Sequence, residues 1–201
     1  MNYWHGRKIR LRAIEAGDAQ TIYDWNLDSE RARLLDFVWP PSSLASVQAW
    51  VETQSKQNRL EEDRYVWVIE DLLGNPVGTI STHHCDLRSG TFSYGIDIAA
   101  EHRRKGYARE AILHILKYYF EELRYQKVTV NVHSDNPASM RLHESLGFQL
   151  EGRLRRMVYT HGQYLDALWY GLTADEYAQL VKREKEKSQL ELPLGPGAGL
   201  A

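Results

Sequence analysis

The sequence lacks most of the features that announce a compartment or a macromolecular partner. It holds one cysteine, Cys85, in 201 residues, which excludes an internal disulfide and suits a reducing compartment. No stretch approaches the ~18 consecutive apolar residues of a membrane span, and the opening MNYWHGRKIRLR has no apolar run that reads as a secretory leader. There is no basic excess either: 25 Lys and Arg stand against 27 Asp and Glu, a formal net charge of -2, which argues against a general nucleic-acid binder. The phosphate-binding patterns G-x-x-x-x-G-K-[ST] and G-x-G-x-x-G are absent, as is any internal repeat. A soluble, cytoplasmic protein with neither a membrane nor a nucleic-acid partner is expected.

What is present is an ordinary globular composition, 43% hydrophobic and 26% charged, suited to one domain over 1–187 with a loose Gly- and Pro-rich tail over 188–201. Alternation at Ile9 and Leu11 predicts a first strand. Asp18 stands where it would cap a helix running to about Leu27, with Ile22 and Trp25 inward. After the break at WPPSS, Leu44, Val47, Trp50 and Val51 recur at helical spacing. YVWVIED and PVGTISTHH, joined by LLGNP, predict a hairpin, and TFSYGIDI a further strand. Ala108, Ala111, Ile112, Ile115, Leu116, Tyr119 and Leu123 form one helical stripe. KVTVNVH follows, with Val128, Val130 and Val132 on one face. A strand, a helix and a strand in this order form a βαβ unit whose strands run parallel.

The next helix is marked at both ends. Asn136 suits the N-cap, Pro137 the first helical position, Gly147 the left-handed cap and Phe148 the apolar contact beyond it. RLRRMVYTHGQYLDALWYGL predicts a hairpin turning at His161-Gly162. Thr173 to Glu176 has the capping-box spacing and starts a last helix. The expected fold class is α/β, a mixed central sheet flanked by helices in a single domain with a C-terminal helix.

One short stretch contradicts its own local structure. HRRKGYAR, His102 to Arg109, opens a helix, and a helix start carries partial positive charge that favours Asp or Glu. Here it carries Arg103, Arg104, Lys105 and Arg109. An anion resolves the conflict, because first-turn amides lack internal partners and Gly106 lets a ligand approach the backbone. A phosphate or pyrophosphate is the natural candidate.

The R-x-x-G-x-A pattern from Arg103 to Ala108 lies between a strand and a helix. N-x-x-S at Asn136 to Ser139 follows, then LGF at Leu146 to Phe148. This combination resembles the GNAT (GCN5-related) N-acetyltransferases over nearly the whole chain. IRLRAIEAGD, GYAREAI and GQYLDALWYGL are most similar to the branch of ribosomal-protein-alanine and spermidine N-acetyltransferases. The resemblance implies acetyl-CoA as co-substrate, its pyrophosphate held by the backbone amides of Arg104, Lys105, Gly106, Tyr107, Ala108 and Arg109. The basic side chains of Arg103 and its neighbours would assist. It also implies that the strand at Ile96, Asp97 and Ile98 pairs with the pantetheine arm, with an amide near Ile98 polarising the thioester carbonyl. Asn136 and Ser139 would contact the cofactor from the next helix. The acceptor would be a small-molecule amine or a peptide N-terminus, attacked directly in a ternary complex, and a homodimer is compatible.

Two positions depart from the family pattern. Where relatives place a proton-donating tyrosine, seven residues after Asn136, this chain has His143, read as the catalytic acid. Where spermidine-type relatives place a glutamate, it has Ser93, a poor base. Asp97, Glu101, His83 and His84 are near in sequence, and none is singled out. These departures motivate an alternative, a non-catalytic acyl-CoA-binding regulatory domain. HHCD at His83 to Asp86 holds four metal-capable side chains, but strand alternation sends neighbours to opposite faces, so no metal site is expected. Cys85 is not expected to be a nucleophile. The acidic residues Glu15, Asp18, Asp24, Asp28, Glu30 and Asp36 hint at attraction for a cationic amine.

Overall fold

The computed structural model describes residues 2–35, 37–56 and 63–190, with side chains to residue 186. Seven strands form one sheet in the order β1-β2-β3-β4-β5-β7-β6. They are β1 (Ile9–Ala13), β2 (Val66–Asp71), β3 (Pro76–Asp86), β4 (Thr91–Ile98), β5 (Lys127–His133), β6 (Gln149–Thr160) and β7 (Gln163–Thr173). Among the described residues six α-helices accompany them: α1 (Ala19–Asn26), α2 (Ser29–Leu35), α3 (Leu44–Ser55), α4 (Tyr107–Lys117), α5 (Pro137–Ser145) and α6 (Ala174–Leu190). All neighbouring strands are antiparallel except β4 and β5, the parallel pair that the βαβ order requires.

The apolar periodicities sort the chain into layers. The stripe of α4 (Ala111, Ile112, Ile115, Leu116) buries against Phe92 and Tyr94 of β4 and against Val128, Val130 and Val132 of β5. Tyr177 and Leu180 of α6 join the same core. A smaller core on the other side gathers Ile22 of α1, Val47 and Val51 of α3, and Val68 of β2. Among the described residues no helix is long and apolar enough to cross a membrane.

The local end signals act as expected at three places. Gly147 is left-handed (φ 89°), and the amides of Gly147 and Phe148 bond back to the carbonyls of Glu144 and His143, closing α5. Thr173 and Glu176 exchange capping bonds at the start of α6. His161 and Gly162 both have positive φ, the backbone a two-residue hairpin turn requires.

Elsewhere the structure differs. Asp18 does not cap α1: a 3₁₀ turn over Ala16–Asp18 precedes the helix, with Glu15 as its cap, and Asp18 is buried against the Arg12 guanidinium. Of the residues at helical spacing in α3, Val47 and Val51 are buried and Trp50 is exposed. The α2 helix carries no apolar stripe that would have announced it. The last helix continues to Leu190, past the expected boundary at 187, and residues 191–201 of the expected tail lie outside the described residues.

Candidate active site

Strands β4 and β5 pair over only three residues, Thr91 to Ser93 against Lys127 to Thr129. Beyond them β4 stays on β3 as far as Ile98, and β5 stays on β7 as far as His133. The strands therefore part into a wedge. It is closed where the Ser93 and Thr129 hydroxyls lie 3.2 Å apart and open toward Ile98 and His133.

Strand alternation decides what lines the wedge. Ala99 donates its amide to Val77 on the β3 side, so Asp97 and Gly95 also face β3, while the amides of Tyr94, Ile96 and Ile98 face the wedge. A Cβ on Gly78 would meet the Asp97 carbonyl oxygen at 2.1 Å, which places that carbonyl on the β3 side too. Of the three strand residues expected to meet the pantetheine arm, Ile96 and Ile98 present backbone to the wedge and Asp97 does not. From Tyr94 to Ile98 the edge is roughly 14 Å long at about 3.4 Å per residue. An extended ligand laid along it would satisfy backbone groups that no strand reaches.

The open end leads to the cationic stretch. Arg104 (φ 64°) and Gly106 (φ 88°) are both left-handed, and α4 starts at Tyr107 with no side-chain cap. The amides of Tyr107, Ala108 and Arg109 have no intrahelical partner. The left-handed residues before them curl the backbone into a concavity suited to an anion. A Cβ on Gly106 would stand 3.1 Å from the Lys8 ammonium, which donates to the Lys105 carbonyl at 3.1 Å. Lys8 is held there because the Glu110 carboxylate accepts the amides of Arg7 and Lys8. No sequence signal marks Lys8, since the pairing of β1 into the sheet is what brings it to α4.

The expected cationic side chains divide. Arg104 and Lys105 are exposed. Arg103 instead turns its Nε to the Ile98 carbonyl at 3.0 Å, and Arg109 pairs with Glu184 at 3.1 Å. Through these partners the two side chains tie the loop to β4 and α4 to α6. Backbone amides, with Lys8, Arg104 and Lys105, supply the positive potential.

On α5, Asn136 Oδ1 accepts the Ser139 amide at 3.0 Å, and its Nδ2 donates to the Leu34 carbonyl of α2 at 3.5 Å. Ser139 sets its hydroxyl 3.3 Å from His143 Nδ1. His143 is buried, and its Nδ1 donates to the Ser139 carbonyl at 2.8 Å because a carbonyl can only accept. The proton is therefore on Nδ1, and Nε2 is a bare acceptor, sealed from solvent and without a partner. Burial pushes the imidazole below its ordinary value, against the Ser139 bond. The ring is packed among Tyr94, Phe148 and Tyr170, so the proton-donor role expected of it would fall to an imidazole that is neutral at rest. Among other tyrosines, Tyr119 is bound to the Asp63 carbonyl and to Thr82 Oγ1, and Tyr159 lies on the exposed face of β6.

The opposite face of the wedge carries Ser93, Gly95 and Asp97. Asp97 forms a buried ion pair with Arg31 of α2. Burial pushes its carboxyl up, while the guanidiniums of Arg31 and Arg103 pull it down. This pair pins α2 to the strand that lines the wedge. The acidic residues of the first helices are largely committed: Asp18 to Arg12, Asp28 to the first amides of α2, Asp24 to Gln20 and Glu30 to Arg33. Asp36 lies outside the described residues. The argument from alternation fails at His84, whose positive φ (49°) brings its ring centroid 4.8 Å from that of His83. Among the described residues no group of three or more His, Cys, Asp and Glu is gathered as a metal requires. The Cys85 thiol lies 3.0 Å from the Asp63 carbonyl and is raised by burial, the opposite of a nucleophile's environment.

Comparison with known proteins agrees with this geometry. Residues 8–149 match the family model described as an acetyltransferase (GNAT) domain. The uncharacterized, SPbeta prophage-derived N-acetyltransferase YokL of Bacillus subtilis is 41% identical over 177 residues, 88% of this chain and 96% of that protein. The spermidine N(1)-acetyltransferase of Vibrio cholerae is 30% identical over 159 residues, 79% of this chain and 89% of that one. The crystal structure of the spermidine N-acetyltransferase from Vibrio cholerae in complex with CoA and spermine superposes with a TM-score of 0.74 at 26% identity, covering 86% of this chain and 99% of that chain.

Proposed function

The chain belongs to the GNAT family of acetyl-CoA-dependent N-acetyltransferases, and from that premise we propose how its residues divide the work. The uncapped start of α4, with Gly106 and Lys8, takes the pyrophosphate of acetyl-CoA. The wedge edge at Ile96 and Ile98 takes the pantetheine arm, so the acetyl group lies toward the closed end near Tyr94 and Ser93. A primary amine approaches from the face of Ser93, Gly95 and Asp97, walled by α1 and α2. Attack on the acetyl carbonyl is direct, with no enzyme-bound acyl group, in keeping with the raised Cys85 thiol. Asn136 and His143 support the site from α5: the first caps the helix and ties it to α2, and the second fills the core beneath the wedge.

The observation that carries this reading is the parting of β4 and β5 beside an uncapped, glycine-led helix start. Spermidine is a leading acceptor candidate through the relative that acts on it. The internal commitment of the acidic residues of α1 and α2 favours testing monoamines and peptide N-termini beside it. Release of the coenzyme A thiol, followed with spermidine, an aminoglycoside and N-terminal-alanine peptides, tests the reading. It fails if no amine in the panel accelerates thiol release. The non-catalytic alternative is then the surviving one if acetyl-CoA, but not ATP, still raises the melting temperature.

A further inference from the structure

We propose that His83 is the general base that takes the proton from the acceptor ammonium, an inference that rests on the acetyltransferase reading above. The need for a base is chemical. An alkyl ammonium with a pKa of about 10.4 is almost fully protonated near neutral pH and has no lone pair to offer. The geometry singles out the residue. His83 is the direct cross-strand partner of Ser93, and opposed residues of an antiparallel pair share a face. Ser93 is the last residue of β4 that pairs with β5, so His83 stands beside the closed end of the wedge. A Cβ on Gly95 would lie 3.9 Å from His83 Cε1 and 3.8 Å from Ser81 Oγ. The absent side chain at Gly95 thus leaves room next to the ring, on the face from which the amine arrives.

The other titratable groups among the described residues lining this region are taken or misplaced. Asp97 is bound to Arg31. Glu101 is largely exposed, past the end of β4, beside His102. His133 is four residues beyond Thr129 on β5, roughly 13 Å toward the open end. His143 is on the other side of the sheet. From its own strand His83 is faced by Ser81 and His84, from β4 and β5 by Ser93, Gly95 and Thr129, and the β2 register carries Arg64 opposite it on the other side. Among the described residues, the ring in contact with His83 is that of His84, which is exposed. Burial, and then the neighbouring His84, lower the affinity of His83 for protons, which keeps it neutral and able to accept at neutral pH. In the step, one N–H bond of the ammonium breaks and its proton goes to the imidazole and then to solvent. The freed lone pair bonds to the acetyl carbonyl carbon, and the carbon–sulfur bond breaks. The second N–H proton lost by the nitrogen balances the one gained by the departing sulfur.

The test is His83→Gln, compared with the parent, with His84→Ala and with His133→Gln, using the best amine of the panel. We expect kcat/KM for His83→Gln to fall about 10²–10⁴-fold, with the acetyl-CoA melting shift retained. The loss should shrink with an acceptor amine of low pKa, already neutral at assay pH. The NMR titration of the His83 ring in the parent, assigned by its disappearance in the variant, should have its midpoint on the acid limb of kcat/KM against pH. His83→Gln within a few-fold of the parent overturns the proposal, as does a loss found instead in His133→Gln or a titration midpoint unrelated to the acid limb. A parent that acetylates no amine overturns the reading beneath it, and this inference with it.

Discussion

Replacing Arg31 by methionine should be among the most damaging single changes outside the apolar core. Both partners of the Arg31–Asp97 pair are nearly sealed, at 6% and 7% of their full exposure. Arg31 also lies over the Trp25 ring, 5.5 Å from its centroid, and bonds Asn26 Oδ1 at 3.3 Å. Methionine keeps the volume and apolar stem but leaves the Asp97 carboxylate buried without its counter-charge. Breaking a buried pair from one side costs about 3–5 kcal/mol. For a chain of this size that lowers the melting temperature by roughly 6–20 °C, at about 2–4 °C per kcal/mol.

The pH dependence has a definite sign. Burial already raises Asp97 against the pull of Arg31, and in the variant that pull is gone. A carboxyl whose folded pKa lies above its unfolded value of about 3.9 costs nothing below that value and progressively more as pH rises through the folded pKa. The deficit of Arg31→Met should therefore be small at pH 4.5 and full at pH 8. Adding Asp97→Leu should recover most of it, because removing both charges is often neutral. Urea unfolding of the parent, the single and the double variant at the two pH values measures all of this. A deficit under about 1 kcal/mol at pH 8, or one equal at both pH values, would refute the buried-charge argument. Because the pair pins α2 to β4, amine KM should rise in the single variant while the acetyl-CoA melting shift persists.

Acetyl-CoA at about 100 times its Kd should stabilise the parent by about 2.7 kcal/mol, a shift of roughly 5–11 °C at about 2–4 °C per kcal/mol; no shift at millimolar concentration sinks the cofactor assignment. Gly106→Val should cost about 1–2 kcal/mol for a side chain in left-handed backbone and abolish the acetyl-CoA shift in a still-folded protein, and an unchanged shift would place the anion elsewhere. His143→Ala should cost about 2–5 kcal/mol as a buried large-to-small change while kcat stays within a few-fold; a 10²-fold fall in kcat at unchanged stability would instead establish the proton-donor role. Its lowered affinity for protons means the parent loses stability as pH falls below about 6.5 toward the folded pKa, and His143→Gln should flatten that loss in thermal melts.

Much of the architecture was legible because the signals are local. The stripe of α4, the valine alternation of β5, the two ends of α5 and the capping box of α6 each depend on residues a few positions apart, and each formed where periodicity and cap chemistry required, except that the expected stripe passes into a π-helical turn over Tyr118–Glu122 beyond Lys117. The parallel pairing of β4 and β5 followed from element order alone. The uncapped helix start was legible for a related reason: cations there are locally unfavourable, which is why an anion is proposed beside them. What the sequence could not determine is where side chains go once distant segments meet. Whether Arg103 and Arg109 face a ligand or a carbonyl and a glutamate, and whether Asp18 caps a helix or answers Arg12, is decided by partners far along the chain. Lys8 reaches Gly106 only because β1 enters the sheet beside α4. His143 shares a helix face with Ser139, as its spacing implies. Its proton, however, is assigned by a carbonyl one turn away and its solvation by Tyr94, Phe148 and Tyr170. Burial and hydrogen-bond partnership set what an imidazole can do, and both are properties of the assembled fold.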